Sequence, residues 1–191
     1  FQNHEVDDAG LIGALEEKLK GKKVLILAPG ASILKDKDRI DAFILEEAPV
    51  VIAANFAPAD YRADYIFCSN AMRYDALREK KQDSAVLVTS NLLDVCEEHD
   101  VLNYSELSFD EKGVCDNCVI MLMKLLTRLK AEKIYVAGFD GYQENGDNYV
   151  KSYMASQHTK GLEENIRNRM FVEHIRKQIE VVFLTDSLYN G

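Results

Sequence analysis

Six short, almost wholly apolar runs recur along the chain, and they constrain the fold more than any other feature. They are residues 22–28 (KKVLILA), 49–55 (PVVIAAN), 64–68 (DYIFC), 85–89 (AVLVT), 133–137 (KIYVA) and 181–185 (VVFLT). Runs of this length without polar alternation suit strands covered on both faces, as in a parallel sheet. Helical patterns lie between them, at residues 8–20, 37–47, 71–80, 116–130 and 162–178. Segment 116–130 is apolar around most of its girth, so it is expected to be largely buried. In 162–178, Leu162, Ile166, Met170 and Ile175 form the expected core-facing stripe, with Glu163 and Glu164 first and Arg176 and Lys177 last, as the helix dipole favours. Alternating strands and helices predict an α/β, three-layer Rossmann-like fold: a mainly parallel central sheet with helices on both faces.

The 191 residues suffice for one such domain. The expected organisation is a linker remnant at 1–8, a single domain over 9–191, and a short loop or lid at the polar stretch 142–161. A start at Phe1 reads as the cut end of a longer protein or as a trimmed chain. The formal charge of −9 argues against nucleic-acid polymers, whose backbone calls for a basic field. No apolar run reaches the ~20 residues that span a bilayer, and no signal peptide is visible. With four cysteines and no secretory signal, the chain is expected to be reduced and cytoplasmic.

Ligands of open α/β sheets bind beyond the carboxyl ends of the strands. Those ends read Ala28-Pro29-Gly30-Ala31-Ser32, Asn55-Phe56, Ser69-Asn70, Ser90-Asn91, Gly138-Phe139-Asp140-Gly141-Tyr142 and Asp186-Ser187. Each Asn or Asp alone is an ordinary turn residue. Together they predict a polar pocket of amides and hydroxyls, suited to a ribose and base. Gly30 allows close backbone approach and Ser32 brings a hydroxyl, although the loop is neither GxGxxG nor a P-loop.

Two other motifs carry alternative chemistry. Cys115 and Cys118 form a CxxC, and with Cys96 and His99 they have the count for a zinc site. Against this, Cys118 opens an apolar helix, where free Cys is usually a small hydrophobe, and packing is the preferred reading. Of the histidines, His4 lies in the tail, His99 in an acidic loop and His174 beside the apolar stripe, where a partly buried, satisfied side chain is expected. His158 stands just before the last helix and is a candidate general base, with a solvated loop residue as the alternative.

The strand-end phrases resemble two Rossmann-like groups, the bacterial sialyltransferases that use CMP-sialic acid and, likewise distantly, the archaeal-type 6-hydroxymethylpterin diphosphokinases. LAPGAS, Asn55-Phe56, residues 65–70 (YIFCSN), Thr89-Ser90-Asn91, residues 137–142 (AGFDGY) and the phrase from Phe183 to Tyr189 look like the C-terminal domain of two-domain bacterial aldolases (4-hydroxy-2-oxovalerate aldolase-like), found among surface-polysaccharide genes. A catalytic barrel takes about 250 residues and has no room here, so any lyase chemistry would lie outside this chain. These resemblances imply a nucleotide- or nucleotide-sugar-binding domain with an aldolase domain in the same polypeptide, and glycosyl transfer if the pocket is active. They place Pro29, Gly30, Ser32, Asn55, Asn70, Asn91, Asp140, Gly141 and Tyr142 at the nucleotide, with residues 113–117 at the helix entry. They make His158 the catalytic base. Asp140 is the one carboxylate that could carry magnesium. The shorter 143–157 stretch, and Gly113-Val114-Cys115 in place of a Ser-Gly pair, depart from the sialyltransferase pattern. The alternative is a non-catalytic interaction or oligomerisation domain that positions an aldolase barrel, with a homodimer among its arrangements.

Overall fold

The computed structural model describes residues 4–80, 83–96, 99–109, 117–143, 149 and 161–191. The chain runs α1 (Ala9–Leu19), β1 (Lys23–Leu27), α2 (Ser32–Lys35), α3 (Lys37–Glu47), β2 (Val50–Ala54), β3 (Tyr65–Cys68), α4 (Ala71–Leu77) and β4 (Ala85–Thr89). A single 3-10 turn (Ser90–Leu92) leads to β5 (Asp100–Leu102), α5 (Tyr104–Leu107), α6 (Cys118–Arg128), β6 (Lys133–Ala137), α7 (Gly161–Arg176) and β7 (Val181–Phe183). The strands form one seven-stranded sheet in the order β5-β4-β3-β2-β1-β6-β7, and every pairing is parallel. This is the three-layer Rossmann-like α/β fold. The strand order reverses between β1 and β6, so the crevice expected of such sheets opens at that point.

Alternation along β1 shows how the two layers are built. Val24, Ile26 and Ala28 face a core shared with α1, α5, α6 and α7, whereas Leu25 and Leu27 face α2, α3 and α4. All five are at most 1% exposed, which is why the run carries no polar alternation. α6 is buried nearly all round, with Lys124 the one residue of its first nine that is not. Its backbone starts under a cap: Asn117 Oδ1 accepts Val119 N at 2.9 Å and Ile120 N at 3.4 Å.

Three elements escape the sequence reading. β5 is a three-residue edge strand beginning with an exposed Asp100, and α2 and α5 are single turns. The stripe expected on α7 is corrected. Leu162, Ile166 and Met170 are 69%, 58% and 61% exposed, and the buried face consists of Asn168, Val172 and Ile175. The helix is rotated because its inward face carries asparagines that bond to the loop after β6 and to the C-terminal tail. His174 is exposed as well, not partly buried. Within 4–8, Asp8 is 7% exposed and accepts Asn103 N at 2.8 Å, while Val6 O accepts Asn103 Nδ2 at 3.1 Å. No helix among the described residues is long and apolar enough to cross a membrane.

Two loops meet where the strand order reverses. Ala28 N donates to Ala137 O and Gly30 N to Gly138 O, both at 2.8 Å. A Cβ on Gly30 would run into the Gly138 carbonyl oxygen and come within 2.6 Å of the Asp140 carboxyl carbon. Gly138 itself sits at φ +77°, with the Ala28 carbonyl where its own Cβ would go. Gly30→Ala should therefore cost about 3 kcal/mol in chemical denaturation, the range of an overpacked core. Gly13→Ala in α1, with nothing within 4 Å, should instead gain ~0.5–1 kcal/mol as a helix-propensity control. Equal effects would show that the loop contact is not tight.

Candidate functional site

A cavity of about 200 Å³ lies at the carboxyl edge of the sheet. It takes Pro29 and Gly30 from the loop after β1, Asn55 after β2, Asn70 after β3, and Asp140, Gly141 and Tyr142 after β6. Seven of the residues expected at the nucleotide are thus brought together. Asn117, the described member of the 113–117 helix entry, joins them.

The carboxamides there are oriented by the backbone. Asn55 is left-handed (φ 59°), and its Oδ1 accepts Ser69 N at 3.0 Å. Asn70 caps α4 by accepting Arg73 N at 3.2 Å. Asn117 caps α6 through its oxygen. Each oxygen is spent on the main chain, so each Nδ2 is the end that remains. Among the described residues none of these three Nδ2 groups has a partner. The strand ends therefore offer the cavity donors.

Helices add further donors that sequence reasoning missed. Arg73 of α4 lies over the Tyr149 ring at 5.0 Å. Arg167 of α7 lines the cavity and has no hydrogen-bond or ion-pair partner among the described residues. Glu164, Asn168 and Tyr189 complete that wall. Arg73 follows the Asn70 cap by three residues, and that spacing was a legible signal. Arg167 follows Glu164 by the same spacing but gave no comparable hint. The Tyr142 and Tyr149 phenols are hydrogen-bonded, and burial, foremost, pushes the Tyr142 phenol well above its usual range. Burial also pushes Tyr189 up to about 12.

Two expected residues serve beside the cavity and not in its wall. Ser32 is 9% exposed, and both its N–H (2.8 Å, to Oδ2) and its hydroxyl (to Oδ1) donate to Asp140. Asn91 Oδ1 accepts Thr89 Oγ1 at 2.5 Å, and its Nδ2 donates to Ser69 O at 3.1 Å, which ties β4 to β3. His158 and Cys115 lie outside the described residues, as does most of the 142–161 loop. Both carboxylate oxygens of Asp140 are engaged by Ser32, and the described residues contain no group of three His, Cys, Asp or Glu able to hold a metal ion. Cys118 is buried with its thiol on Phe67 O at 3.6 Å, and burial pushes it far above the thiolate range. Cys68 is pushed up to about 12 by the same cause. His99 is bonded to the Tyr74 hydroxyl at 2.9 Å. These contacts match packing roles.

No protein-family model matches the chain, and no curated protein sequence matches it. Solved structures do. The sialyltransferase CstII from Campylobacter jejuni, in complex with the substrate analogue cytidine-5'-monophosphate, is 15% identical with a TM-score of 0.53, over 87% of this chain and 81% of that one. The monofunctional alpha-2,3-sialyltransferase Cst-I from the same organism is 13% identical with a TM-score of 0.55, over 87% and 76%. At these identities the likeness shows the fold. Neither structure is an aldolase-associated domain, so that resemblance rests on the sequence phrases alone.

Asp140 has a measurable signature. Burial, foremost, raises its carboxyl above the ordinary 3.8, Asp36 and Asp186 add to the rise, and the Ser32 hydrogen bonds hold it back. The folded chain therefore keeps this proton where the unfolded chain has lost it, so its contribution to stability falls as pH rises through the window just above 3.8. Urea unfolding at stepped pH should show wild type losing stability relative to Asp140→Asn across that window. Parallel curves would contradict the raised value.

Proposed function

We propose that this domain binds a nucleotide, in the form of a nucleotide sugar, and transfers its glycosyl group. The observation that carries the reading is the convergence of donors: three backbone-oriented Asn amides and two guanidinium groups on one cavity. Such a lining suits an acceptor-rich ligand, with phosphate oxygens for the arginines and carbonyl and ring-nitrogen acceptors for the amides. CMP is the first ligand to test, because a structural neighbour of the same fold holds it. In the transfer, an acceptor hydroxyl attacks the sugar carbon, the nucleotide phosphate leaves, and a base takes the hydroxyl proton. His158 is our candidate for that base. An aldolase domain joined to this one remains part of the proposal.

At 100 times its Kd, CMP should add about 2.7 kcal/mol of stability, read as a shift in Tm. If none of CMP, UMP, AMP, GMP and their sugar conjugates shifts Tm at millimolar concentration, the reading fails. Arg167→Ala should weaken CMP about tenfold, the worth of a charge-assisted hydrogen bond, and leave Tm in the absence of ligand unchanged. Where turnover of a nucleotide sugar is detected, His158→Ala should lower it ~10²-fold with CMP affinity intact.

One observation favours the second reading, a non-catalytic interaction domain. It is the exposed apolar row Leu162, Ile166 and Met170 on α7. Under that reading no mononucleotide stabilises the fold and Arg167→Ala is silent.

A further inference from the structure

Tyr142 is held by a side chain of α7. Tyr142 N donates to Asn165 Oδ1 at 2.9 Å, and Asn165 Nδ2 donates back to Tyr142 O at 2.8 Å. The carboxamide thus pairs with both polar groups of one residue, as a neighbouring strand would. The same Oδ1 accepts the Tyr189 hydroxyl at 2.8 Å, and that hydroxyl accepts Asn168 Nδ2 at 3.2 Å. Tyr189 is 1% and Asn168 6% exposed, so that end of the chain of bonds is shielded from water, while Asn165 and Tyr142 are half-buried. Just upstream, Leu188 N donates to Asp140 O at 2.9 Å and Ser32 holds the Asp140 carboxylate. The segment from Asp140 to Tyr142 is therefore fixed from three sides.

Only a carboxamide fits the centre of this arrangement. A carboxylate can accept from Tyr142 N but cannot donate to Tyr142 O, and an apolar residue leaves both unpaired. Asn is a poor helix former, yet α7 places Asn165 and Asn168 where a core-facing helix would ordinarily carry apolar residues. Asn165 does not line the cavity, whereas Tyr142, Asn168 and Tyr189 do.

We propose that Asn165 is a positioning residue: it sets the place of Tyr142 in the cavity wall and thereby couples α7 to ligand occupancy. The coupling to nucleotide rests on the functional reading above. The clamp itself does not, and the experiment separates the two.

Asn165→Asp keeps the size and shape of the side chain and removes the bond to Tyr142 O. The carboxylate still accepts from Tyr142 N, but its second oxygen now faces Tyr142 O and repels it, so the pairing opens more often and hydrogen exchange at the Tyr142 amide should accelerate about tenfold. The CMP Kd, measured by calorimetry well below Tm, should rise by about the same factor. In a Tyr142→Ala background, Asn165→Asp should leave the CMP Kd unchanged within about twofold, because the two act through one contact. Unchanged exchange overturns the clamp. A lower Tm with unchanged Kd, or an equal rise in Kd in both backgrounds, overturns the positioning role. If the wild type binds no CMP, the nucleotide reading falls, and with it the coupling; the exchange arm then decides the clamp alone. If Asn165→Asp does not fold, Tyr189→Phe removes only the hydroxyl that orients the amide. It should move exchange and Kd in the same direction by about threefold.

Discussion

Two main-chain hydrogen bonds across the reversal of strand order, from Ala28 to Ala137 and from Gly30 to Gly138, decide where everything else in the site can stand. They extend the β1–β6 pairing beyond the strands and draw the two loops together until no side chain fits between them. That closeness puts Asp140 within reach of both donors of Ser32. With Asp140 fixed, Gly141 and Tyr142 follow as cavity wall, and α7 and the C-terminal tail dock against them. The close backbone approach that Gly30 allows is, within the protein, the approach to Gly138.

The chemistry of the cavity comes from a division of labour inside single side chains. Asn55, Asn70 and Asn117 each use the oxygen of the carboxamide to settle a loop or start a helix, and that use dictates where the nitrogen remains. The structural use of the oxygen therefore leaves the nitrogen of each side chain unengaged among the described residues. An aspartate could still cap, but it would replace an amide donor with a further acceptor in a wall that already holds Asp140 and Glu164. This explains why strand-end asparagines that are individually ordinary turn residues become informative as a set.

Much of the fold was legible because a strand covered on both faces leaves a continuous apolar run, and six of the seven strands do. β5 was not, because three residues at an edge, headed by an exposed aspartate, have no periodicity to read. On α7, spacing identified an apolar row, but spacing cannot say whether protein lies over it. The rotation was set by Asn165 and Asn168, whose partners are remote in sequence. The site divides in the same way. Residues at strand ends were found from the sheet rule alone, whereas Arg73, Tyr149 and Arg167 reach the cavity through helix packing and loop path. Ser32 and Asn91 were found at the right edge, yet their side chains are turned to neighbouring loops.

The strand order has a consequence for how the chain is made. β1, at the centre of the sheet, is the first strand to be synthesised. It meets β2 early on one side, but its other neighbour begins only at Lys133. Until then the nascent chain carries Val24, Ile26 and Ala28 without α7 to cover them, and α6 is made only just before β6. The wall around Tyr142 is completed later still, by Tyr189, which follows β7. The cavity is therefore closed late, by tail on loop, once α7 and the residues after β7 dock against the segment that follows β6.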